Sequence, residues 1–302
     1  GNNPGPVFTG VTEACFNTRR DDELVLTNSE GFDSWTASFV LSKSTGSGII
    51  TDGGNVDFLV GYAYTDANDR RAMTSSTASS NYDRTLAFDL QNPAEAQSIY
   101  SNTHNITARV SMAEEFFEDL STRLTATFTA RSGRHYGLAF SGGSIFNDSA
   151  SGSDNAVLYV PTGSEDANVS PTSDANTVQA LSNFLEGLDC ASDYAGTSIA
   201  RNTCENDWYF DLDLKFSQDI PGPGRFFGQE DSIQVYAMVD NFLNLLDQDW
   251  NVLRARQYAG QQGIIELAGI DDAGRYVFDQ FCVADPANPR NCLADPTVQQ
   301  IQ

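Results

Sequence analysis

The feature that most constrains this chain is a strict alternation of apolar and polar side chains, repeated in segments of about 9–11 residues. Along 208–216, Trp208, Phe210, Leu212, Leu214 and Phe216 alternate with Tyr209, Asp211, Asp213 and Lys215. Along 120–130, Leu120, Leu124, Ala126, Phe128 and Ala130, with Thr122 in step, oppose Ser121, Arg123, Thr125, Thr127 and Thr129. Ile106, Ala108, Val110 and Met112 alternate with Asn105, Thr107, Arg109 and Ser111. Trp35, Ala37, Phe39 and Leu41 repeat the pattern, as do Val56, Phe58, Val60, Tyr62 and Tyr64. Weaker strands are read over Ser232–Val239, over Glu23–Thr27 and in the alternating segment from Thr297 to Gln302. A period of two puts each set on one face of an antiparallel sheet.

The lengths matter. A tilted strand needs about 9–11 residues to cross a bilayer, whereas strands of soluble sandwiches run nearer 5–6. The polar sets carry charges that need water on their side of the sheet. Alternation alone leaves two readings level: a transmembrane barrel with a wet interior, or a large soluble antiparallel sheet with one solvated face. Connection lengths favour the barrel. Short links are read near 114–119 and 219–231, and long ones over 66–103, 132–206 and 242–296. Short turns alternating with long loops are the pattern of outer-membrane barrels, and are foreign to a compact soluble domain. In one long link Val178, Leu181, Phe184, Leu185 and Leu188 recur at helical spacing, which predicts a short amphipathic helix ending near Asp189 and packed on the loop.

Charge and composition exclude other classes. The chain has 17 Lys plus Arg against 41 Asp plus Glu, a net charge of −24, so a phosphate backbone would be repelled and nucleic acid is not a partner. With 40% hydrophobic residues it is no disordered acidic tail. Apolar runs are too short for a membrane-spanning helix. Only two histidines occur, so no cofactor or metal centre is expected. Cys190 with Cys204, and Cys282 with Cys292, bracket short polar loops, the arrangement of disulfides formed in an oxidising compartment. Cys15 is left over. The absence of an initial Met and the alternation running up to Gln302 suggest a piece of a longer protein.

No catalytic constellation stands out, and an enzyme is not expected. Asp211 and Asp213 share a face, as a glycosidase pair might, but a wet lumen explains them better. Arg109 and Arg123 on neighbouring polar faces are candidates to pair with these aspartates, and with Lys215 the five residues are read as lumen-facing. His135 with Ser132 lacks a third triad member. Asp271 to Gly274 reads as a hairpin turn, with too few oxygen ligands for an EF-hand. Trp35, Tyr64, Trp208, Phe216, Phe226 and Phe227 lie near strand ends, where barrels carry interfacial girdles. Trp250, in a long loop, has a minor reading as a sugar-stacking residue.

The order of several motifs resembles the TonB-dependent outer-membrane receptors, specifically their Oar-like branch. These are Leu26 to Phe32 followed by the strand ending Leu41-Ser42-Lys43, then Tyr62-Ala63-Tyr64-Thr65, and the Ser-rich stretch Thr74 to Tyr82. His104, the strand end Ala130 to Tyr136, and Leu158-Tyr159-Val160-Pro161 follow. Arg201-Asn202 leads into Trp208 to Asp213, and Asn241 to Leu246 closes the series. Asn105 stands where the family has Arg, and 205–207 lack its basic residue and proline.

The resemblance implies an all-β fold: residues 1–302 as the C-terminal portion of one antiparallel transmembrane β-barrel, about eight of roughly 22 strands, with long extracellular loops. Plug and N-terminal strands would lie outside the chain. It implies uptake of an unidentified ligand across a Gram-negative outer membrane, or export in some relatives, powered by the TonB complex through that plug. Outer-membrane lipid and lipopolysaccharide would surround the wall, and the acidic loops would favour cations over anionic ligands. The alternatives are a non-transporting structural or adhesive barrel and a soluble secreted β-sheet binding protein.

Overall fold

The computed structural model describes residues 27–117, 119–141, 155–253, 260–279, 283–285 and 288–293. Six long strands carry the architecture: β1 (Asp33–Ser44), β2 (Asn55–Asp69), β3 (His104–Phe117), β4 (Leu120–Arg131), β5 (Tyr209–Pro221) and β6 (Ser232–Val239). They pair antiparallel, each with its predecessor in the chain, and the two-residue strand Ala96–Gln97 adds to the end of β2. These are six of the eight strands read from sequence. The other two, around Glu23 and Thr297, lie in parts of the chain outside the described residues.

Ladder register converts the sequence alternation into two continuous faces. Phe39, Tyr62, Ile106, Ala130 and Phe210 form one cross-strand row, and Leu41, Val60, Ala108, Phe128 and Leu212 the next. A one-residue slip in any pair would carry a whole apolar set to the other face, so the pattern fixes the register. On the opposite face Leu59, Arg109, Thr127 and Asp213 form a row, flanked by Asp57, Ser111, Thr125 and Lys215.

All short connections lie at one end and all long ones at the other. At the near end β1–β2, β3–β4 and β5–β6 are joined by tight links. At the far end the chain makes its excursions over 70–103 and 132–208, and again after Val239. The link expected at 114–119 is shorter than read, because β3 continues to Phe117. Glu114 explains that extension. Its carboxylate accepts from the backbone N–H groups of Ile49 (2.6 Å), Ile50 (3.1 Å) and Thr51 (2.8 Å) and from the Thr51 hydroxyl (2.8 Å), so it holds the β1–β2 turn against β3.

Two findings differ from a closed barrel. Among the described residues the sheet is open, with β1 and β6 as its edges, and every residue of both is exposed. The long connections, expected as long loops, fold together into a lobe that holds the buried hydrophobic core. Its strand His135–Phe140 pairs parallel with Gln261–Ile265 and antiparallel with Cys204–Glu205, while Tyr159–Val160 pairs with Thr197–Ser198. The predicted helix is present as α1 (Ala175–Glu186), which starts where the Asp174 carboxylate accepts from Thr177 N–H at 2.8 Å. Its Val178, Leu181 and Leu185 are fully buried against Tyr159, Tyr276 and Phe278 in one cluster. Burying a Leu-sized side chain stabilises by about 1.5–3 kcal/mol, and these three on one stripe hold the helix to the lobe core.

The Cys190–Cys204 disulfide is formed and ties the chain after α1 to the strand beside Tyr136. The other pairing read from sequence involves Cys282, outside the described residues. The turn at Asp271–Gly274 is also present, linking the paired strands Gly269–Ile270 and Tyr276–Val277. The Asp271 carboxylate accepts from the N–H groups of Ala273 and Arg275, both at 2.9 Å, and from Arg275 Nε at 2.8 Å.

Candidate functional site

The structure presents a two-faced wall with a lobe on one end, and its functional chemistry lies on the faces and at the margins. On the apolar face, the far-end margin is a continuous aromatic chain across four strands. Trp35 packs on Tyr64 (5.1 Å between ring centroids), Tyr64 on His104 (5.4 Å), His104 on Trp208 (5.7 Å) and Trp208 on Phe210 (6.1 Å). Tyr62 hydroxyl shares a 2.9 Å hydrogen bond with His104 Nδ1, which anchors the polar tip of one ring. The rings stay open to solvent, Trp35 at 51% and Trp208 at 41% exposure. Near-end aromatics stand out further: Phe116, Phe117, Phe226 and Phe227 are all exposed, the last two at 91% and 85%. Between these margins lie Val60, Val110, Leu124 and Val235. Monomeric soluble proteins rarely leave so extended an apolar surface uncovered. In β1–β6 the buried apolar side chains are only Ala113, Leu120 and Ala130.

All five charges read as lumen-facing share the opposite face. Arg109 and Asp213 are both registered on Thr127, Lys215 on Thr125, Asp211 on Thr129 and Arg123 on Ser217. The Arg–Asp pairing suggested by sequence is replaced by other partners. Thr127 stands between Arg109 and Asp213 in their row, so the two charged side chains are one strand too far apart for direct opposition. Asp213 instead accepts from Asn241 N–H (2.9 Å), and Asp211 from Asn251 Nδ2 (2.9 Å). Lys215 Nζ lies over the Tyr236 ring at 5.2 Å. A shallow depression of about 450 Å³ opens on this face around Ser42, Asp57, Arg109, Ser111 and Arg123.

The Asn241 and Asn251 contacts reflect an interruption at the sheet edge. Among the described residues β6 pairs with Leu214–Pro221 only, leaving the first half of β5 without a ladder partner on that side. The chain from Asp240 to Val252 covers it with a one-turn helix, Phe242–Leu246, capped by the Asn241 side chain. Between this segment and β5 lies a cleft of about 460 Å³, walled by Trp208, Phe210, Leu243 and Trp250 and fringed by Asp207, Asp249 and Asn251. Sequence reasoning singled out Trp250 but not its partnership with Trp208, because no spacing rule brings residues so far apart in the chain together.

The lobe is bolted to the wall by a buried ion pair that the sequence did not disclose. Arg201 donates from Nη1 to Asp69 Oδ1 at 2.8 Å and from Nη2 to the Asp69 carbonyl, with side-chain exposures of 5% and 10%. Gly133 is the second close contact, since a Cβ there would overlap the Asn206 carbonyl. In the lobe core Tyr159 hydroxyl donates to both oxygens of Asp166 (2.9 and 3.0 Å) and stacks on Tyr276 at 4.4 Å. Desolvation pushes that phenol well above its ordinary range. Burial lowers the His135 imidazole below its usual value, keeping it neutral. No group of three or more His, Cys, Asp or Glu placed to hold a metal ion occurs among the described residues.

No family model, no curated protein and no solved structure matches the chain. Its fold is a mostly β architecture of antiparallel sheets with one disulfide among the described residues.

Proposed function

We propose that this chain forms part of the wall of an outer-membrane β-barrel, the C-terminal portion of a TonB-dependent receptor of the Oar-like kind, moving an unidentified ligand across that membrane. The observation that carries the reading is the wall itself. One face carries apolar rows that run across the strands and an aromatic chain at its far-end margin, the other is charged, and the burying core lies elsewhere. A soluble antiparallel sheet covers its apolar face with a second layer; here lipid would be the second layer.

The dimensions agree with a bilayer. From His104 to Phe116 the strand rises about 40 Å at ~3.3 Å per residue. A tilt of about 45° reduces that to about 28 Å, against the ~25 Å apolar band of such barrels. Among the described residues both edges of the sheet are unpaired along their length, and in lipid such edges require partner strands. That requirement fits a wall segment within a larger ring. The lobe would then stand on the extracellular side, where long connections gather, and the tight links on the periplasmic side. Arg109, Arg123, Asp211, Asp213 and Lys215 would line the wet passage. The strands would supply the wall, and energy would come through TonB acting on a plug.

The test uses the two girdle tryptophans. Reconstituted into bilayers whose acyl chains carry bromine, Trp35 and Trp208 should be quenched most by bromines near the headgroups and least by bromines at the chain ends. A protein that stays monodisperse in buffer without detergent, with both tryptophans indifferent to brominated lipid, is a soluble sheet. The intact mass of the native polypeptide then separates a receptor from a small barrel: a mass several times that of 302 residues leaves room for a plug and further strands.

A further inference from the structure

We propose that the depression on the polar face of the wall, between β1 and β4, binds a small polyanion carrying phosphate or carboxylate groups, held by Arg109 and Arg123. The depression, about 450 Å³, is lined by Ser42, Ser44, Asp57, Ser111 and the two arginines. Lys43 also borders it, but pairing with Phe58 places Lys43 on the apolar face, so the argument rests on the arginines. Carboxylates outnumber basic side chains 41 to 17 in this chain. Even so, among the described residues neither Arg109 nor Arg123 has an ion-pair or hydrogen-bond partner. Asp57, the carboxylate in the lining, accepts from Asn55 Nδ2 instead. Two other cations of the same face are engaged: Arg131 lies over the Tyr209 ring at 4.8 Å and Lys215 over Tyr236 at 5.2 Å.

Register sets the spacing of the two charges. Arg109 stands opposite Thr127, four residues along β4 from Arg123, which separates them by about 13 Å along the strands. Between them Ser111 and Thr125 share a 3.0 Å hydroxyl hydrogen bond, and both are buried, so the intervening floor is closed and polar. On the β1 side Ser42 and Ser44 make no side-chain hydrogen bond among the described residues and keep their hydroxyls free to donate. A guanidinium offers donors only, so the matching ligand is an acceptor, and its planar fork fits phosphate and carboxylate oxygens in pairs. An ion with two acidic groups answers two charges held apart in this way better than a single-charged one. The inference stands independently of the membrane reading: in a barrel the depression faces the passage, and in a soluble sheet it faces water.

The probe is inorganic pyrophosphate, titrated calorimetrically into the detergent-purified native polypeptide at about 0.15 M salt, where distant carboxylates are screened beyond ~8 Å. Saturable binding is expected. Arg109→Gln and Arg123→Gln should each weaken it by roughly tenfold through loss of one charge-assisted contact. Arg109→Lys, which keeps the charge and loses the fork, should weaken it by roughly threefold. Arg131→Gln, on the same face at its far end, should leave binding unchanged. Strand content by circular dichroism checks that each variant is folded, and a variant that loses it is replaced by its Lys counterpart. Absence of saturable binding would overturn the proposal, as would loss of affinity in Arg131→Gln equal to that in the two depression variants, since that marks a diffuse charge effect. Citrate titrated in the same way separates the two oxyanions. Whichever binds more tightly while responding to both arginines names the acidic group, and either result retains the chemistry.

Discussion

Replacing Asp69 by Ala should release the lobe from the wall, and the structure sets the size of the effect. The Arg201 side chain is 5% exposed and its Nη1 sits 2.8 Å from the Asp69 carboxylate. At an effective dielectric near 20, unit charges about 4 Å apart attract by about 4 kcal/mol. The desolvation of both groups consumes much of that in the wild type, but removing one partner leaves the other buried charge uncompensated, at about 3–5 kcal/mol. The Arg201 bond to the Asp69 carbonyl survives in the variant, so the lower end, about 3 kcal/mol, is expected. Arg201→Met alone should cost about the same, and the double variant should cost little more than either single, giving a coupling of at least ~2 kcal/mol. Native-state hydrogen exchange is the assay, because it reads the opening free energy of the lobe amides (Tyr136 to Phe140 and α1) separately from those of β2–β5. Lobe amides should exchange faster while mid-strand amides hold. Additive single effects, or equal loss in lobe and wall, would refute the claim that this pair joins two separately cooperative parts.

Further outcomes follow from the same lobe. Reducing Cys190–Cys204, or replacing Cys204 by Ser, should destabilise the lobe by about 3 kcal/mol, the chain-entropy value for a loop of this size, read as a lower lobe melting temperature with strand content retained by circular dichroism. His135 has a folded pKa held below its unfolded value by burial, so the neutral form is favoured by folding. Its contribution is complete above the unfolded value near ~6.5 and is lost as pH falls below it; His135→Gln should flatten that part of the stability–pH curve. Asp271 has its carboxyl lowered to about 2, first by the Arg275 backbone N–H donated to it and then by its other donors. The stability it adds is present above the unfolded value near ~4 and disappears as pH falls towards the folded value, and Asp271→Asn should remove that acid-side slope. Leu181→Ala, at a fully buried site in α1, should cost about 3 kcal/mol in lobe amide exchange.

Much of the wall was legible because strand periodicity is a local property. Asp211, Asp213, Lys215, Arg109 and Arg123 could be assigned to one face by counting twos, and the register places them there together. The same counting put Val178, Leu181 and Leu185 on one stripe of a helix. Cys190 and Cys204 were readable because they bracket a short loop. The extent of β3 was not, since Glu114 and Glu115 look like turn residues until the amides of Ile49 to Thr51 are seen converging on Glu114.

What the sequence determined by itself is the two-sidedness of the sheet, the position of its strands along the chain and the alternation of short and long connections, because each depends on neighbours two to four residues apart. Only the tertiary structure decided that the long connections condense into one lobe, that Asp69 and Arg201 join it to the wall, that Trp208 meets Trp250 across a cleft, and that Asp213 answers to Asn241 rather than to an arginine. Those outcomes depend on which surfaces meet across tens of residues of chain, where burial and desolvation are set by the assembled surroundings and no short-range pattern encodes them.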